Sequence, residues 1–302
     1  MTLRSGLAAL IGVPNGGKST LFNRLIGERL SIVTPKAQTT RLRIKGIVAT
    51  TTADGAEAEI VLMDLPGVFT ARRTLDRAMV AAAWRGAAEA DVMLFIVDAK
   101  AGAGAEVQQV ARRLAEIPRP AWLVLNKVDL VKKPLLLPLA ASLNAEKAFE
   151  RTFMVSAASG DGVADLLLSL GAAMPEGPHL YPSEQISDLS ERWLAAEIVR
   201  EQVFLQSGDE VPYDAMVETE SWQEREDGSV RVECVITVAR RGQKAILIGA
   251  GGRRVRSIGL HARETLGEVL GRKVHLMLRV AEGAGRDEDR RRLAALGLDE
   301  PR

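Results

Sequence analysis

The chain has 302 residues, a length that suggests about two domains. Its hydrophobic fraction of 47% and charged fraction of 26% are ordinary for a folded globular protein, and they exclude a disordered chain. The net charge of +1 excludes a uniformly basic protein, and the single cysteine excludes an internal disulfide. Because no apolar run reaches the roughly 18 residues of a membrane span and no secretory signal begins the chain, we expect a cytoplasmic protein without a transmembrane segment.

The most specific motif lies near the N-terminus, between a strand-like apolar run at 7–11 and a helical pattern at 20–26. A glycine-rich loop in this context is typical of a phosphate-binding P-loop, whose backbone N–H groups point at anionic oxygens. We expect Lys18 to reach the β- and γ-phosphates of a nucleotide and the Ser19 hydroxyl to ligate Mg²⁺. The motif has the pattern G-x-x-x-x-G-K-S and consists of Gly12-Val13-Pro14-Asn15-Gly16-Gly17-Lys18-Ser19. The residues expected to contact the nucleotide here are Gly12, Pro14, Asn15, Gly16, Gly17, Lys18, Ser19 and Thr20.

The next segment, 31–41, is polar, contains a proline and has no clear period, which is typical of a functional loop. In a nucleotide hydrolase such a loop carries a threonine that ligates Mg²⁺ when the γ-phosphate is present. Thr39 and Thr40 are both candidates, and the sequence does not choose between them.

Two strand-like runs, 43–51 and 58–63, are joined by an Asp-Gly turn and predict a hairpin. The second run leads into the segment Asp64-Leu65-Pro66-Gly67. At the end of a strand, Asp64 is expected to hold Mg²⁺ through water, and the Gly67 N–H is expected to lie near the γ-phosphate.

Helical patterns at 74–90 and 104–117 then alternate with apolar strand-like runs at 92–97 and 122–125. This alternation predicts an α/β fold with a mostly parallel, doubly wound sheet. Ligands of such sheets bind beyond the carboxyl ends of the strands, which is where the motifs fall.

The motif Asn126-Lys127-Val128-Asp129 follows the strand at 122–125 and favours a guanine base. A carboxylate only accepts hydrogen bonds, and guanine offers Asp129 two adjacent donors, whereas adenine offers an acceptor at N1. We expect Asn126 to bridge loops and the stem of Lys127 to cover the purine ring.

A last strand, 153–155, leads into Ser156 and Ala157, whose backbone N–H groups are expected to support the base, and a helix at 162–174 follows. These elements complete a nucleotide-binding domain at 1–174. The proline-rich stretch 175–187 is expected to be an extended linker, followed by a second domain at 188–284 and a charged tail at 285–302.

The second domain is predicted to contain a helix, two strands, a short helix, a longer helix and a strand, at 191–205, 214–221, 229–238, 243–248, 255–270 and 273–280. A G-x-x-G segment, Gly249-Ala250-Gly251-Gly252, separates the last two helices. Between Arg240 and Arg279 the chain holds ten Lys/Arg and two Glu, a concentration of positive charge that is typical of a nucleic-acid site.

The nucleotide motifs, in this order, resemble the translation-factor-like GTPases, and the second domain resembles an α+β type II KH domain. The G-x-x-G loop of a KH domain clamps the backbone of single-stranded nucleotides. The resemblance implies that RNA contacts fall on Lys244, Ile248, Gly249, Ala250, Gly251, Gly252, Arg253, Arg254 and Arg256.

The chain as a whole resembles the Era family of bacterial ribosome-assembly GTPases. Local matches to this family are Pro14-Asn15, Lys36-Ala37-Gln38-Thr39-Thr40-Arg41, Ser190-Glu191-Arg192 and Gln243-Lys244. The resemblance implies a GTP/GDP switch that binds the 3′ end of small-subunit ribosomal RNA and acts in maturation of the 30S subunit. It also implies a monomer with some peripheral association with the inner membrane.

The expected chemistry is attack of water on the γ-phosphate. Val68 stands where the Ras-like pattern has a glutamine, so the chain resembles the GTPases with a hydrophobic residue at this position. Many of these use K⁺ held partly by a P-loop asparagine, and Asn15 matches that position. The residues expected to take part in hydrolysis are Asn15, Lys18, Thr39, Thr40 and Gly67.

Two other functions remain as alternatives. One is an RNA-binding chaperone whose nucleotide site is only structural, against which the intact Lys18, Ser19 and Asp64 argue. The other is a GTPase whose partner is not RNA.

Overall fold

The computed structural model describes residues 2–36, 39–71, 73–146, 149–182, 185–208 and 211–283. The chain forms two compact units. Within the described ranges, the first unit comprises residues up to 31 and 39–188, and the second comprises residues 32–36 and those from 189 onward. The tail expected at 285–302 lies outside the described residues.

The first unit is built on a six-stranded sheet. The strands are β1 (Leu3–Ile11), β2 (Ile44–Thr51), β3 (Glu57–Asp64), β4 (Val92–Asp98), β5 (Ala121–Asn126) and β6 (Arg151–Met154). Their order in the sheet is β2-β3-β1-β4-β5-β6. All neighbouring strands are parallel except β2 and β3, which form the expected antiparallel hairpin. The doubly wound α/β fold is therefore confirmed. The helices are α1 (Lys18–Ile26), α2 (Thr74–Glu89), α3 (Ala105–Ala115), α4 (Leu136–Glu146) and α5 (Val163–Ala173).

Hydrophobic patterning explains these elements. Every residue of β5 is buried, as is expected for a parallel strand with helices on both faces of its sheet. The helix α4 was not expected from the sequence, although Leu136, Ala140 and Leu143 are buried at helical spacing. This helical spacing is hard to see in the sequence, because the apolar run also contains Leu137, which is 70% exposed, and Pro138, which lies in the first turn of the helix.

The described residues of the stretch expected to be a linker, 175–182 and 185–187, belong to the first unit. The Ser5 N–H donates a hydrogen bond to the Pro175 carbonyl at 3.0 Å. The buried Glu59 carboxylate accepts one from the Leu180 N–H at 2.7 Å. Hydrogen bonds therefore hold this stretch against the sheet, and the larger part of the second unit begins at Leu189.

The second unit packs helices on a three-stranded sheet, whose strands are β7 (Met216–Glu224), β8 (Val230–Val238) and β9 (Val274–Glu282). Their order is β7-β8-β9, in which β7 and β8 are antiparallel and β8 and β9 parallel. Ser190 caps the first helix by accepting a hydrogen bond from the Trp193 N–H at 3.2 Å. The helices are α6 (Glu191–Gln206), α7 (Val211–Asp214), α8 (Arg241–Ile248) and α9 (Arg253–Leu270), of which the single-turn α7 was not expected.

Within the described ranges, no helix combines the length and the apolar composition that crossing a bilayer requires.

Candidate nucleotide and RNA sites

The loop between β1 and α1 has the shape of a phosphate cradle. Gly17 has φ +88°, and a Cβ atom there would lie 2.2 Å from Asn126 Nδ2, so a glycine is required. Asn15, which is exposed, also has a positive φ of 63°, a conformation that asparagine tolerates better than most residues. The first turn of α1 carries no acidic side chain, so the partial positive charge of the helix start is available to an anion.

Lys18 lies at the base of this loop with only 6% of its surface exposed. Its Nζ atom donates hydrogen bonds to the carbonyls of Gly12 at 3.2 Å and Val13 at 3.0 Å. Burial lowers the pKa of Lys18 from 10.5 to about 8, although the nearby Asp64 carboxylate acts in the opposite direction.

A cluster of oxygen atoms surrounds the buried Asp64 at the end of β3. Its Oδ2 atom accepts hydrogen bonds from Ser19 Oγ at 2.7 Å, Ser31 Oγ at 2.7 Å and Thr40 Oγ1 at 3.2 Å. Ser19 Oγ and Thr40 Oγ1 are 2.9 Å apart. Burial raises the pKa of the Asp64 carboxyl, against the effect of these hydroxyls and of Lys18.

This cluster has the chemistry of a magnesium site. Hydroxyl and carboxylate oxygens are the donors that Mg²⁺ prefers. The second carboxylate oxygen of Asp64, Oδ1, is buried and has no hydrogen-bond partner among the described residues, so it can accept a ligand water. Of the two candidate threonines, Thr40 lies in the cluster. Ser31 was not expected there, because a serine in a loop gives no motif.

Asn126, 1% exposed, joins two loops at the other end of the cradle. Its Nδ2 donates to the Gly16 carbonyl at 3.0 Å, and its Oδ1 accepts from the Ala157 N–H at 3.0 Å. Ser156 is buried beside it, and its hydroxyl accepts a hydrogen bond from the Ser159 N–H at 3.1 Å. The loops after β5 and β6 are thereby fixed against the P-loop.

Lys127 also links the P-loop to this edge of the sheet. Its Nζ donates to the Asn15 carbonyl at 2.8 Å and to Asp98 Oδ2 at 2.6 Å. Asp98 ends β4 and was not expected in the site, because no motif contains it. The Asp129 side chain lies in a 3-10 turn, Val128–Leu130, and is exposed.

The backbone after β3 passes directly against the P-loop. A Cβ atom on Gly67 would lie 2.9 Å from Pro14 Cγ, and the Val68 N–H donates to the Gly12 carbonyl at 3.0 Å. The Val68 side chain is buried in the core of the unit. It therefore cannot orient a water molecule in the cradle.

In the second unit, the G-x-x-G segment forms a turn between α8 and α9. Gly251, at the exposed tip, has φ +61°, and a Cβ atom there would meet no atom within 4 Å. Arg253 Nε donates to the Ala250 carbonyl at 3.2 Å, and Arg254 Nη1 donates to the Ile246 carbonyl at 2.8 Å. These two guanidinium groups therefore also support the turn, and Lys244 is half-buried.

A cavity of about 400 Å³ lies beside this turn, between α9 and β9. Arg256 and Arg263 provide exposed positive charge, and the leucines provide apolar surface, which together suit the backbone and bases of single-stranded RNA. Only Gly252 and Arg256 of its lining were expected. The spacing of residues along α9 could have indicated more of the lining, because positions 256, 259, 260 and 263 share one helix face. The lining residues are Gly252, Val255, Arg256, Gly259, Leu260, Arg263, Leu276 and Leu278.

The fold and these two sites define a protein that joins a P-loop GTPase domain to a KH domain. A family profile described as "50S ribosome-binding GTPase" matches residues 7–127, and one described as "KH domain" matches residues 210–282. GTPase Era of Afipia carboxidovorans is 48% identical over 99% of this chain and 96% of its own length. GTPase Era of Rhizobium meliloti is 49% identical over 99% and 94%. The chain therefore belongs to the Era family of GTPases.

Solved structures of this family have the same fold. A variant of Aquifex aeolicus Era bound to GDP·AlF₄⁻ matches with a TM-score of 0.89 and 32% identity, over 97% of this chain and 98% of that one. An Era structure in complex with MgGDPNP and nucleotides 1506–1542 of 16S ribosomal RNA gives the same values.

The buried Lys18 predicts a pH-dependent stability. Because its pKa falls from 10.5 to about 8 on folding, its contribution to the free energy of unfolding rises from pH 8 to 10.5 and is lost as the pH falls through 8. Without nucleotide, Lys18→Met should have a larger free energy of unfolding than the wild type at and below pH 8, and this difference should shrink towards pH 10 by up to about 3 kcal/mol. Urea unfolding at several pH values measures the difference.

Lys100→Met, which removes an exposed lysine, corrects for the loss of one positive charge. If the difference in free energy of unfolding between Lys18→Met and the wild type stayed constant from pH 8 to 10, the lowered pKa of Lys18 would be contradicted.

Proposed function

We propose that this chain is a GTP-hydrolysing switch that binds ribosomal RNA and acts in assembly of the 30S subunit. The observation that carries the hydrolytic part is the convergence of Ser19, Thr40 and Asp64 at the end of the phosphate cradle. A purely structural nucleotide site needs no such set of metal-binding oxygens beside a threonine of the 31–41 loop. The Era structure that binds MgGDPNP supports the same ligand for this chain.

In this proposal each residue of the cradle has a stated task. Lys18 leaves its carbonyl partners to contact the β- and γ-phosphates, and the amides at the start of α1 and of Gly67 contact phosphate oxygens. Ser19 and Thr40 hold Mg²⁺ directly and Asp64 holds it through water. Mg²⁺ held by these residues would supply positive charge beside the phosphates. Because Val68 is buried, the intrinsic rate is expected to be low.

Asp129 is proposed to select guanine, and the exchange Asp129→Asn tests this. Losing a charged acceptor for N1–H and the amino group should weaken GTP binding by about 10- to 100-fold, since one such bond contributes roughly 1.5–3 kcal/mol. Xanthosine triphosphate, which has a carbonyl in place of the amino group, should bind the variant better than the wild type. Competition against a fluorescent nucleotide measures both affinities.

Asp165→Asn, at an exposed position of α5, controls for the loss of one negative charge. If wild-type protein and Asp129→Asn bound GTP equally, Asp129 would not read the base. If no GTP-specific phosphate release occurred in any condition, the chaperone alternative would be correct.

We also propose that K⁺ assists hydrolysis and that Asn15 helps to hold it. Asn15 is exposed at the mouth of the cradle, and its backbone carbonyl is held by Lys127, so the P-loop is fixed where the ion would bind. Phosphate release in K⁺ compared with Na⁺ tests this role in the same assay.

The RNA-binding part of the proposal rests on the KH turn and its adjoining cavity. Phosphates would lie at the glycine-rich start of α9, near Arg256, and bases would lie over the leucines of the cavity. By analogy with the Era complex, the RNA is the 3′ region of the small-subunit ribosomal RNA.

Gly251→Asp is predicted to abolish most RNA binding without unfolding the domain. The position is open, and Asp tolerates the left-handed backbone that Gly251 adopts. A negative charge at the turn should weaken affinity for a 16S 3′-end oligonucleotide at least tenfold, because it repels the phosphates. Gly251→Asn is the matched neutral control and should lose far less. If both variants lost RNA affinity equally, charge repulsion would not be the cause. If neither variant lost RNA affinity, a non-RNA partner would be favoured.

We further propose that the nucleotide state controls RNA affinity through the segment Ile32–Lys36. This segment belongs to the second unit, where the Val33 N–H donates to Glu201 Oε1 at 3.0 Å and Lys36 Nζ donates to the Ser207 carbonyl at 2.6 Å. Thr40 follows four residues later. Movement of that threonine with the γ-phosphate would therefore pull on α6.

RNA affinity should accordingly differ at least fivefold between the states bound to a GTP analogue and to GDP, which is the lower range of allosteric coupling. Lys36→Met, which removes the bond to Ser207, should reduce this ratio while leaving the affinity in the GDP state unchanged. Equal affinities in the two nucleotide states of the wild type would reject the coupling.

Peripheral membrane association and a monomeric state complete the proposal. Leu130, Leu135 and Leu137 are exposed near Lys132 and Lys133, and such a combination favours contact with an anionic lipid surface.

A further inference from the structure

The helix that begins at the phosphate cradle also contacts the loop after β6. Arg24, in the last turn of α1, donates from Nε to the Ala157 carbonyl at 3.0 Å and from Nη2 to the Ala158 carbonyl at 2.5 Å. Because the guanidinium is a rigid planar fork, it sets the direction of both carbonyls together. Arg24 belongs to none of the nucleotide motifs. Its contact joins the phosphate-binding helix to the loop that is expected to support the base.

The two backbone N–H groups that were expected to support the base already have partners within the protein. The Ser156 N–H donates to the Asp161 carbonyl at 3.0 Å, and the Ala157 N–H donates to Asn126 Oδ1 at 3.0 Å. Both residues are buried, whereas Ala158 is exposed. The Ala158 N–H is therefore the next donor of this loop that a base can reach.

Arg24 fixes the direction of the Ala158 N–H through one peptide bond. The Ala157 carbonyl and the Ala158 N–H belong to the same planar, trans peptide, in which these two groups point in opposite directions. Since the carbonyl is held towards Arg24, the N–H points away from it. The Asn126 side chain holds the preceding peptide, so both peptide planes are fixed.

We propose that Arg24 is a positioning residue for base recognition, which holds the Ala158 N–H where it donates to O6 of guanine. Adenine carries an amino group in place of O6 and offers only a donor there, so an N–H at this place would lose its partner. This role complements that of Asp129, which faces the N1–H and the amino group of guanine in the proposed function. The inference therefore rests on the proposed binding of GTP.

The exchange Arg24→Met, combined with 6-thio-GTP, tests this role in the full-length protein. In 6-thio-GTP a sulfur atom, which is a weak acceptor, replaces O6, while the N1–H and the amino group stay unchanged. The wild type should bind GTP more tightly than 6-thio-GTP. Arg24→Met should weaken GTP binding by about three- to tenfold, which corresponds to one neutral hydrogen bond, and should change the affinity for 6-thio-GTP far less. Competition against a fluorescent nucleotide measures both affinities.

Inorganic tripolyphosphate with Mg²⁺ separates an effect on the base from an effect on the phosphates. This ligand has no base, so wild type and Arg24→Met should bind it equally. Arg119→Met, which removes an exposed arginine just before β5, controls for the loss of one positive charge and should keep the preference for GTP over 6-thio-GTP.

The exchange Ala158→Pro tests the donor itself, because proline has no backbone N–H. It should reduce the preference for GTP over 6-thio-GTP as much as Arg24→Met does, and combining the two exchanges should reduce it no further. Tripolyphosphate binding shows that the cradle of this variant is intact. If Ala158→Pro does not fold, Arg24→Met decides alone, since Arg24 is an exposed side chain.

Three results would overturn the proposal. The first is a full preference for GTP over 6-thio-GTP in Arg24→Met, and the second is the same preference in a folded Ala158→Pro. The third is an equal loss of GTP and tripolyphosphate affinity in Arg24→Met, which would place the effect in the phosphate cradle. Failure of the proposed function gives a different result, because wild-type protein would then bind GTP no more tightly than ATP.

Discussion

The side-chain amide of Asn126 is the interaction on which the geometry of the nucleotide site depends. A buried primary amide is stable only when both its ends are paired, and here one end donates to Gly16 and the other accepts from Ala157. Three chain segments, from three strands, are thus held in one arrangement. The close approach also explains Gly17, since any side chain at that position would overlap the amide. One side chain therefore fixes the loops after β5 and β6 against the P-loop.

Lys18 and Asp64 show how the site is prepared for a charged ligand. Both are buried, and burial lowers the pKa of the amine and raises that of the carboxyl, so each charge is costly in the absence of a partner. Protein carbonyls and hydroxyls compensate them only in part, because Asp64 Oδ1 has no partner among the described residues. A polyanion with a divalent cation supplies both missing charges.

The fold and the motif residues could be predicted from the sequence because both depend on local patterns. The alternation of apolar strands and helices indicates a sheet that is buried on both faces, and each motif lies at the end of a strand. Ser31 and Asp98 could not be predicted, since they reach the site by tertiary contact and belong to no motif. The contacts of Thr40 with Ser19 and Asp64 likewise depend on the loop conformation, which the sequence does not give. Part of the cavity beside α9 could have been predicted from the helical spacing of Arg256 and Arg263. Its leucines on β9 could not, because they come from another element.

The starts of α1 and α9 both offer partial positive charge, and they differ in how far they are enclosed. The helices α1 and α9 each begin after a glycine with a left-handed backbone, and neither carries an acidic side chain in its first turn. At the start of α1 the positively charged side chain, Lys18, is buried, and side chains fixed by hydrogen bonds enclose the site. Such an enclosed site suits one ligand of defined shape. Around α9 the cations Arg256 and Arg263 are exposed, so charge can follow a flexible backbone. The same backbone geometry therefore leads into an enclosed site in one unit and an exposed basic surface in the other.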